Sequence, residues 1–343
     1  VGFLVGKYWD RVEDAHFPGD ATFLADLPRG LRVHAASRRF LDDCEAGAEG
    51  QAHADVAVAW HVRRFCPDLD VDIITPAELT PERLGRNSCN FLIGWDVLGV
   101  HALDGPERVR EATEALRACQ TLVPAWGAQL FVCHQARYMK ACMEAGVLVV
   151  PTIFVPANQC SAEWLLEHIR LRSWKRFVLM RSFNASGAGQ RRYVLADCES
   201  YPQALQAFID RHSDCSEFAV QETAESLAGS WEARLFWWDN AFVYAVAAAA
   251  DAGEDNFTHG DIPEELLERA KAVGRKALQV LPPGMALVRT DICCCQSPNG
   301  GQGPSTAKCY LRAIECGGVD TYARLLRFDS LPLWAERYIA KAR

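Results

Sequence analysis

The sequence predicts an α/β fold, and two observations carry the prediction. Short apolar runs alternate with helical patterns through roughly the first third of the chain, and the second half holds strand-like runs that each carry a charged residue in apolar surroundings. At the start, residues 1 to 55 read as holding one first strand, with no place fixed for it. The stretch to residue 55, with Pro18-Gly19, Pro28-Arg29-Gly30 and an acidic Ala/Gly-rich patch from Asp42 to Gly50, specifies little more. Val71 to Ile74 and Asn90 to Gly94 are short apolar runs of the kind found in buried parallel strands. Between them Thr75-Pro76-Ala77-Glu78 opens a short helix, with Thr as cap, Pro at the first position and an acid in the first turn. Pro106 to Cys119 repeats that opening and continues longer, with Val109, Ala112 and Leu116 on one face.

The middle of the chain is more sharply punctuated. Gln135 to Ala145 reads as a helix stopped by Gly146, and the run Val147 to Val155, interrupted by Pro151, reads as an edge strand. Ser161 to Arg172 is a helix and Arg176 to Arg181 a strand. The loop Ser182 to Gln190 is small-residue rich, so its amides can approach an anion closely. Val194-Leu195 resumes a strand, Tyr201 to His212 is a helix, and Glu217 to Glu222 is a strand. Trp231 to Trp238 and Ala241 to Ala250 are strands joined by the turn-forming pair Asp239-Asn240. A helix from Pro263 to Leu281 leads to two last strands, Met285 to Cys295 and Lys308 to Cys316. No internal repeat is visible.

Composition excludes some classes. The chain has 343 residues, half of them hydrophobic and 23% charged, with a formal net charge of −8. That balance gives no footprint for nucleic acid, and Arg38-Arg39, Arg63-Arg64 and Arg191-Arg192 are isolated pairs. No apolar run approaches the roughly 20 residues of a membrane span. The 14 cysteines include no CxxC pair, which argues against a zinc ribbon, and they read as reduced thiols of the cytoplasm or another reducing compartment, organelles included. Cys293-Cys294-Cys295 alternates faces along a strand, so the three sulfurs do not meet one metal. A redox-sensitive or metal-binding surface made by Cys294 with Cys309 or Cys316 is the lesser reading. Val1 to Gly6 is too short for a signal-peptide core, and no targeting segment is visible.

Charges inside apolar strands need a reason, because a buried ion is costly unless paired or placed in a cleft. Glu232 and Arg234 share one strand face, as do Arg289 and Asp291, while Glu315 lies in the last strand and Arg181 ends an earlier one. Taken in order, Phe177 to Arg181 with Asn184-Ala185-Ser186-Gly187-Ala188-Gly189, then Val220-Gln221-Glu222, then Trp231-Glu232-Ala233-Arg234, then Arg289-Thr290-Asp291 with Ala313-Ile314-Glu315, the set resembles the ATP-grasp superfamily, and within it the glutathione-synthetase-like carboxylate-amine ligases. Helix, "aGv" and "PT.fv" around Gly146 and Pro151 are similar to a segment of that family too.

The resemblance implies an N-terminal α/β pre-ATP-grasp domain over residues 1–122 and an ATP-grasp domain over 123–343. The latter divides into a lid lobe at about 160–222 and a C-terminal lobe at about 223–343, which sandwich the nucleotide. It implies ATP and magnesium as cofactors. Arg181, Ser186, Gly187, Gly189, Gln221, Glu222 and Glu232 would bind the nucleotide, Asp291 and Glu315 would hold Mg²⁺, and Arg234 and Arg289 would act on the transferred phosphoryl group. The reaction so implied activates a small-molecule carboxylate as an acyl phosphate and joins it to an amine. The chain departs from the family pattern at Ala136, Thr258 and Gly317, where Lys, Arg and Asn are usual, and Glu315-Cys316-Gly317 replaces "E-x-N". Those departures keep two further readings open: a non-catalytic relative serving as a nucleotide-binding or structural subunit of an assembly, and a kinase of the same fold. Oligomeric state is open as well.

Overall fold

The computed structural model describes residues 1–6, 11–12, 27, 31–34, 50–93, 100, 105–183, 189–223, 231–249, 258, 262–295, 308–316, 321–322, 326 and 329–343. The first strand, β1 (Gly2–Leu4), is followed by three short strands, β2 (Arg11–Val12), β3 (Val33–His34) and β4 (Gly50–His53), that pair antiparallel in the order β2-β4-β3. The Ala54–Phe65 helix comes next, an element the sequence reading did not separate from its weakly specified surroundings. Then β5 (Asp72–Ile74), β6 (Asn90–Leu92) and β7 (Leu122–Val123) join β1 in a parallel sheet ordered β5-β1-β6-β7. The expected helix start at Thr75 forms a short 3₁₀ turn with a capping box to Glu78, and the Pro106–Ala118 helix covers the sheet through Ala112, Ala115 and Leu116.

A second sheet is antiparallel and ordered β10-β9-β11-β8. Its strands are β8 (Thr152–Pro156), β9 (Arg176–Arg181), β10 (Gln190–Val194) and β11 (Glu217–Glu222). One face packs Phe177, Leu179, Phe218 and Val220 under the helices Ala162–Leu171 and Pro202–Arg211. The run expected as one strand from Val147 to Val155 is divided at Pro151. Val149 bridges in parallel to Leu311 of the third sheet, whereas Thr152–Pro156 pairs with β11. Proline has no N–H for a ladder, so the chain changes sheets at that residue. The second sheet therefore begins at residue 152. Leu195, expected at a strand end, instead opens a short helix, Leu195–Ser200.

The third sheet is antiparallel too, ordered β13-β12-β14-β15, with β12 (Trp231–Trp238), β13 (Ala241–Ala249), β14 (Leu287–Cys295) and β15 (Lys308–Cys316). Its hairpin turns at Asp239 and Asn240, both at positive φ (47° and 65°), the geometry of a tight turn matched to strand twist. The Glu264–Leu278 helix lies across one face, over Ala233, Leu235, Trp237, Val288 and Ile292. Gly274 of that helix lets it approach: a Cβ there would stand 2.5 Å from Trp237, whose Nε1 donates to Thr290 Oγ1 at 2.9 Å. The chain closes with the Ser330–Ala342 helix, which returns to the first sheet. Tyr338 packs edge-on against Phe3 and Phe91, at ring distances of 5.5 and 5.0 Å.

Candidate active site

The site arises from one property of β12, its strict alternation. Ala233, Leu235 and Trp237 point under the Glu264–Leu278 helix, so Glu232, Arg234, Phe236 and Trp238 share the opposite face. That face is divided along its length. At one end Phe236, Trp238 and Tyr244 pack against Trp334 and Tyr338. At the other end the side chains are Glu232, Arg234, Arg289 and Asp291, all less than 9% exposed.

Register brings the charges together. Arg234 stands opposite Asp291 across the β12–β14 ladder, and Arg289 opposite Glu315 across β14–β15. Arg289 grips Asp291 with two bonds, Nε to Oδ1 at 2.8 Å and Nη2 to Oδ2 at 3.0 Å, and the same Nη2 lies 2.7 Å from Glu315 Oε1. Arg234 donates from Nε to Glu232 Oε1 at 3.3 Å, lies 4.0 Å from Asp291 Oδ2, and rests its guanidinium over the Tyr322 ring at 5.1 Å. Burial by itself raises the pKa of Asp291. The charges of Arg289 and Arg234 outweigh it, so the carboxyl is held below its usual range. Such a network recovers its desolvation cost only when every ion is paired, as these are.

A bulge in β15 completes the arrangement. Asp291 pairs with Ala313 but Ile292 pairs with Leu311, which leaves Arg312 as the extra residue. Cys309 and Leu311 face the helix before it, and Ile314 and Cys316 after it. The one-residue slip thus puts both Arg312 and Glu315 on the charged face, although they are three apart. Arg312 Nη1 bonds Glu232 Oε2. Sequence reasoning did not find Arg312, because plain alternation puts it on the face opposite Glu315.

The lid sheet presents a different surface. Opposite its helices, Val178, Met180 and Ala219 form a small apolar cluster with Phe154. Gln221 adjoins it, opposite both Val178 and Thr152, and its Nε2 lies 3.4 Å from Thr152 Oγ1. At the end of β11, Glu222 pairs with Phe177 and shares the face of Phe218 and Val220, opposite to that of Gln221. Burial first, and neighbouring charges including Glu222 after it, push Cys295 up to about 12.

Arg181 is not gathered with the rest. Alternation along β9 gives it the face of Phe177 and Leu179, and its Nη2 lies 3.3 Å from Asp214, beyond the Pro202–Arg211 helix. The residue of β9 that faces the apolar cluster is Met180. Gly189 closes the loop, its carbonyl accepting from Arg181 N at 3.0 Å, while Ser186 and Gly187 lie outside the described residues, as does Gly317. Ala136, at the place of the family's Lys, is fully buried; Lys140 one turn on reaches Glu217 and the Phe154 ring. Thr258 serves a bridge to Ala247. All the described cysteines are free thiols, and Cys294 and Cys309 face each other on the helix side with sulfurs 3.3 Å apart.

Whether Mg²⁺ suits the site depends on its donors. Among the described residues no group of three or more His, Cys, Asp or Glu side chains is placed to hold a metal. Asp291 and Glu315 nevertheless converge on one cationic nitrogen, that of Arg289. Two carboxylates with phosphate oxygens are the set Mg²⁺ takes in nucleotide sites, so the pair fits it in kind. No helix of the described residues is long and apolar enough to cross a membrane.

No family model matches this sequence, and no curated protein does. Solved structures match it closely in fold. The D-cycloserine synthetase DcsG is 15% identical, with a TM-score of 0.61 over 84% of this chain and 94% of that one. The D-alanine–D-alanine ligase of Bacillus anthracis is 11% identical, with a TM-score of 0.56 over 84% and 90% of the two chains. The ATP-grasp ligase PsnB, complexed with a minimal precursor, is 12% identical, with a TM-score of 0.54 over 84% and 95%. The chain has the fold of the ATP-grasp ligases.

Proposed function

We propose that this protein is an ATP- and magnesium-dependent ligase that activates a carboxylate as an acyl phosphate and joins it to an amine. The observation that carries the reading is the convergence of Asp291 and Glu315 on Arg289, on the charged face of β14 and β15, in a chain with the ATP-grasp fold. Neighbours of that fold are named as a D-alanine–D-alanine ligase and as an ATP-grasp ligase complexed with a precursor peptide, so the substrates proposed here are a small carboxylic acid or peptide and an amine.

Each residue has work to do in that scheme. Asp291 and Glu315 would hold Mg²⁺, which when bound neutralises charge on the nucleotide phosphates. Arg289, which bonds both carboxylates, presents its guanidinium to the same region and would meet an anionic phosphoryl oxygen there. Arg234, fixed by Glu232 and Tyr322, supplies a second fork to the same region. In a water-poor site these two arginines stabilise negative charge as the phosphoryl group passes to the substrate carboxylate. The amine then displaces phosphate, forming the amide. Gln221 adjoins the apolar cluster, and it and Glu222 at the end of the same strand are assigned to the base and sugar of the nucleotide, with Ser186, Gly187 and Gly189 as the phosphate cover and Glu232 at the ribose.

The experiment is ADP release in the presence of Mg²⁺ and candidate acid–amine pairs. Asp291→Asn and Glu315→Gln should remain folded and lose turnover by at least about 100-fold, the scale of losing a group that stabilises transition-state charge. Near-native turnover by both variants would defeat the assignment. A stable phosphorylated product without amide would show a kinase instead, and ATP binding without any ADP release a silent binder.

A further inference from the structure

We infer that Arg312 is a positioning residue that sets Glu232 to read the vicinal diol of a ribonucleotide. The inference rests on the ligase reading above, in which Glu232 lies at the ribose, and adds to it a residue and a selectivity.

The geometry is that of a carboxylate clamped from both sides. Glu232 Oε1 accepts from Arg234 Nε at 3.3 Å, and Oε2 accepts from Arg312 Nη1. A carboxylate offers roughly four lone-pair directions, two on each oxygen. One direction on each oxygen is taken by a guanidinium, which leaves one on each for a further donor. A pair of neighbouring hydroxyls, each donating once, matches that remainder. A sugar lacking either hydroxyl leaves a buried acceptor short of a bond, which is where hydrogen-bonding sites discriminate most strongly.

Arg312 is suited to this by its place. Glu232 is only 7% exposed, so its rotamer is confined, while the Arg312 side chain keeps 35% of its surface open. Glu232 stands opposite Cys293, two residues along β14 from Asp291 and next to it on the same face. A nucleotide with its phosphates at Asp291 carries its sugar at a neighbouring position on that face. The bulge that turns Arg312 onto this face is the same one that turns Glu315 onto it, so a single irregularity in β15 serves both the metal carboxylate and the sugar acid.

The test is calorimetric affinity for ATP, 2′-deoxy-ATP and 3′-deoxy-ATP with Mg²⁺, in the wild-type chain, Arg312→Met and Arg312→Gln. Wild type should prefer ATP over each deoxy analogue by about tenfold, the worth of one hydrogen bond, and the variants by about twofold or less. A general loss of stability would lower all three affinities together and leave their ratios alone. Arg312→Gln carries the comparison if Arg312→Met does not fold. ATP binding with an undiminished ratio in the folded variant, or with no preference in wild type, overturns the inference and leaves the ligase reading standing. No ATP binding in wild type removes both.

Discussion

Asp55 should make this protein less stable as the pH rises from 3.8 to about 7. It sits fully buried in the first turn of the Ala54–Phe65 helix, where its carboxylate accepts from Gly6 N at 2.5 Å and Val56 N at 2.9 Å. Burial pushes its pKa up to about 7 from 3.8, against those backbone hydrogen bonds. A folded-state pKa above the unfolded one means the native state holds the proton more tightly. Its contribution to stability is then whole below pH 3.8 and is lost as the pH climbs to about 7. At roughly 1.4 kcal/mol per pH unit, that interval is worth about 4 kcal/mol in total, of which about 3 kcal/mol falls between pH 5 and pH 8.

Asp55→Asn cannot ionise, so it should lack this slope. Urea unfolding of both proteins across that range should show the difference shifting toward Asn by about 3 kcal/mol. The comparison is made as a difference because His61, held down to about 4 by burial, acts oppositely. A lowered histidine pKa costs stability as the pH falls below 6.5, and this is common to both proteins. Stability differences that stay constant within about 0.5 kcal/mol from pH 5 to pH 8 would refute the reasoning.

Gly274→Ala should destabilise the chain by about 1–3 kcal/mol, since its Cβ would stand 2.5 Å from Trp237 and 3.1 Å from Thr290 Oγ1. An unchanged melting temperature would show that helix and sheet part without cost. Arg181→Met should alter ATP affinity by less than about threefold, because its guanidinium is turned toward Asp214, away from the charged face. A loss of tenfold or more would restore Arg181 to the nucleotide site.

The parts of the site that the sequence made legible are those that follow period-two alternation. Glu232 with Arg234, and Arg289 with Asp291, are pairs two apart in strands of otherwise apolar residues, and each pair does share a face. The strand boundaries of β9, β11, β12 and β15 were equally readable from their apolar runs, as was the turn at Asp239-Asn240. What escaped depended on tertiary pairing. Arg312 was hidden by a bulge that only the register between β14 and β15 reveals. Arg181 had the right charge and a strand-end position, but the strand's phase, fixed by which side its helices cover, turned it away. The Ala54–Phe65 helix carries Ala and Val around most of its circumference because the Ser330–Ala342 helix and the first sheet enclose it, so no single amphipathic stripe marked it.

The measurement that bears most directly on the central claim is calorimetric binding of ATP titrated against Mg²⁺, in wild type, Asp291→Asn and Glu315→Gln. Wild type should bind ATP at millimolar concentrations or below and bind it more tightly as Mg²⁺ is added, while both variants lose the dependence on Mg²⁺ and keep a residual, metal-independent affinity. Wild-type binding indifferent to Mg²⁺, or an unaltered Mg²⁺ dependence in both variants, would contradict the assignment of Asp291 and Glu315 as the metal carboxylates.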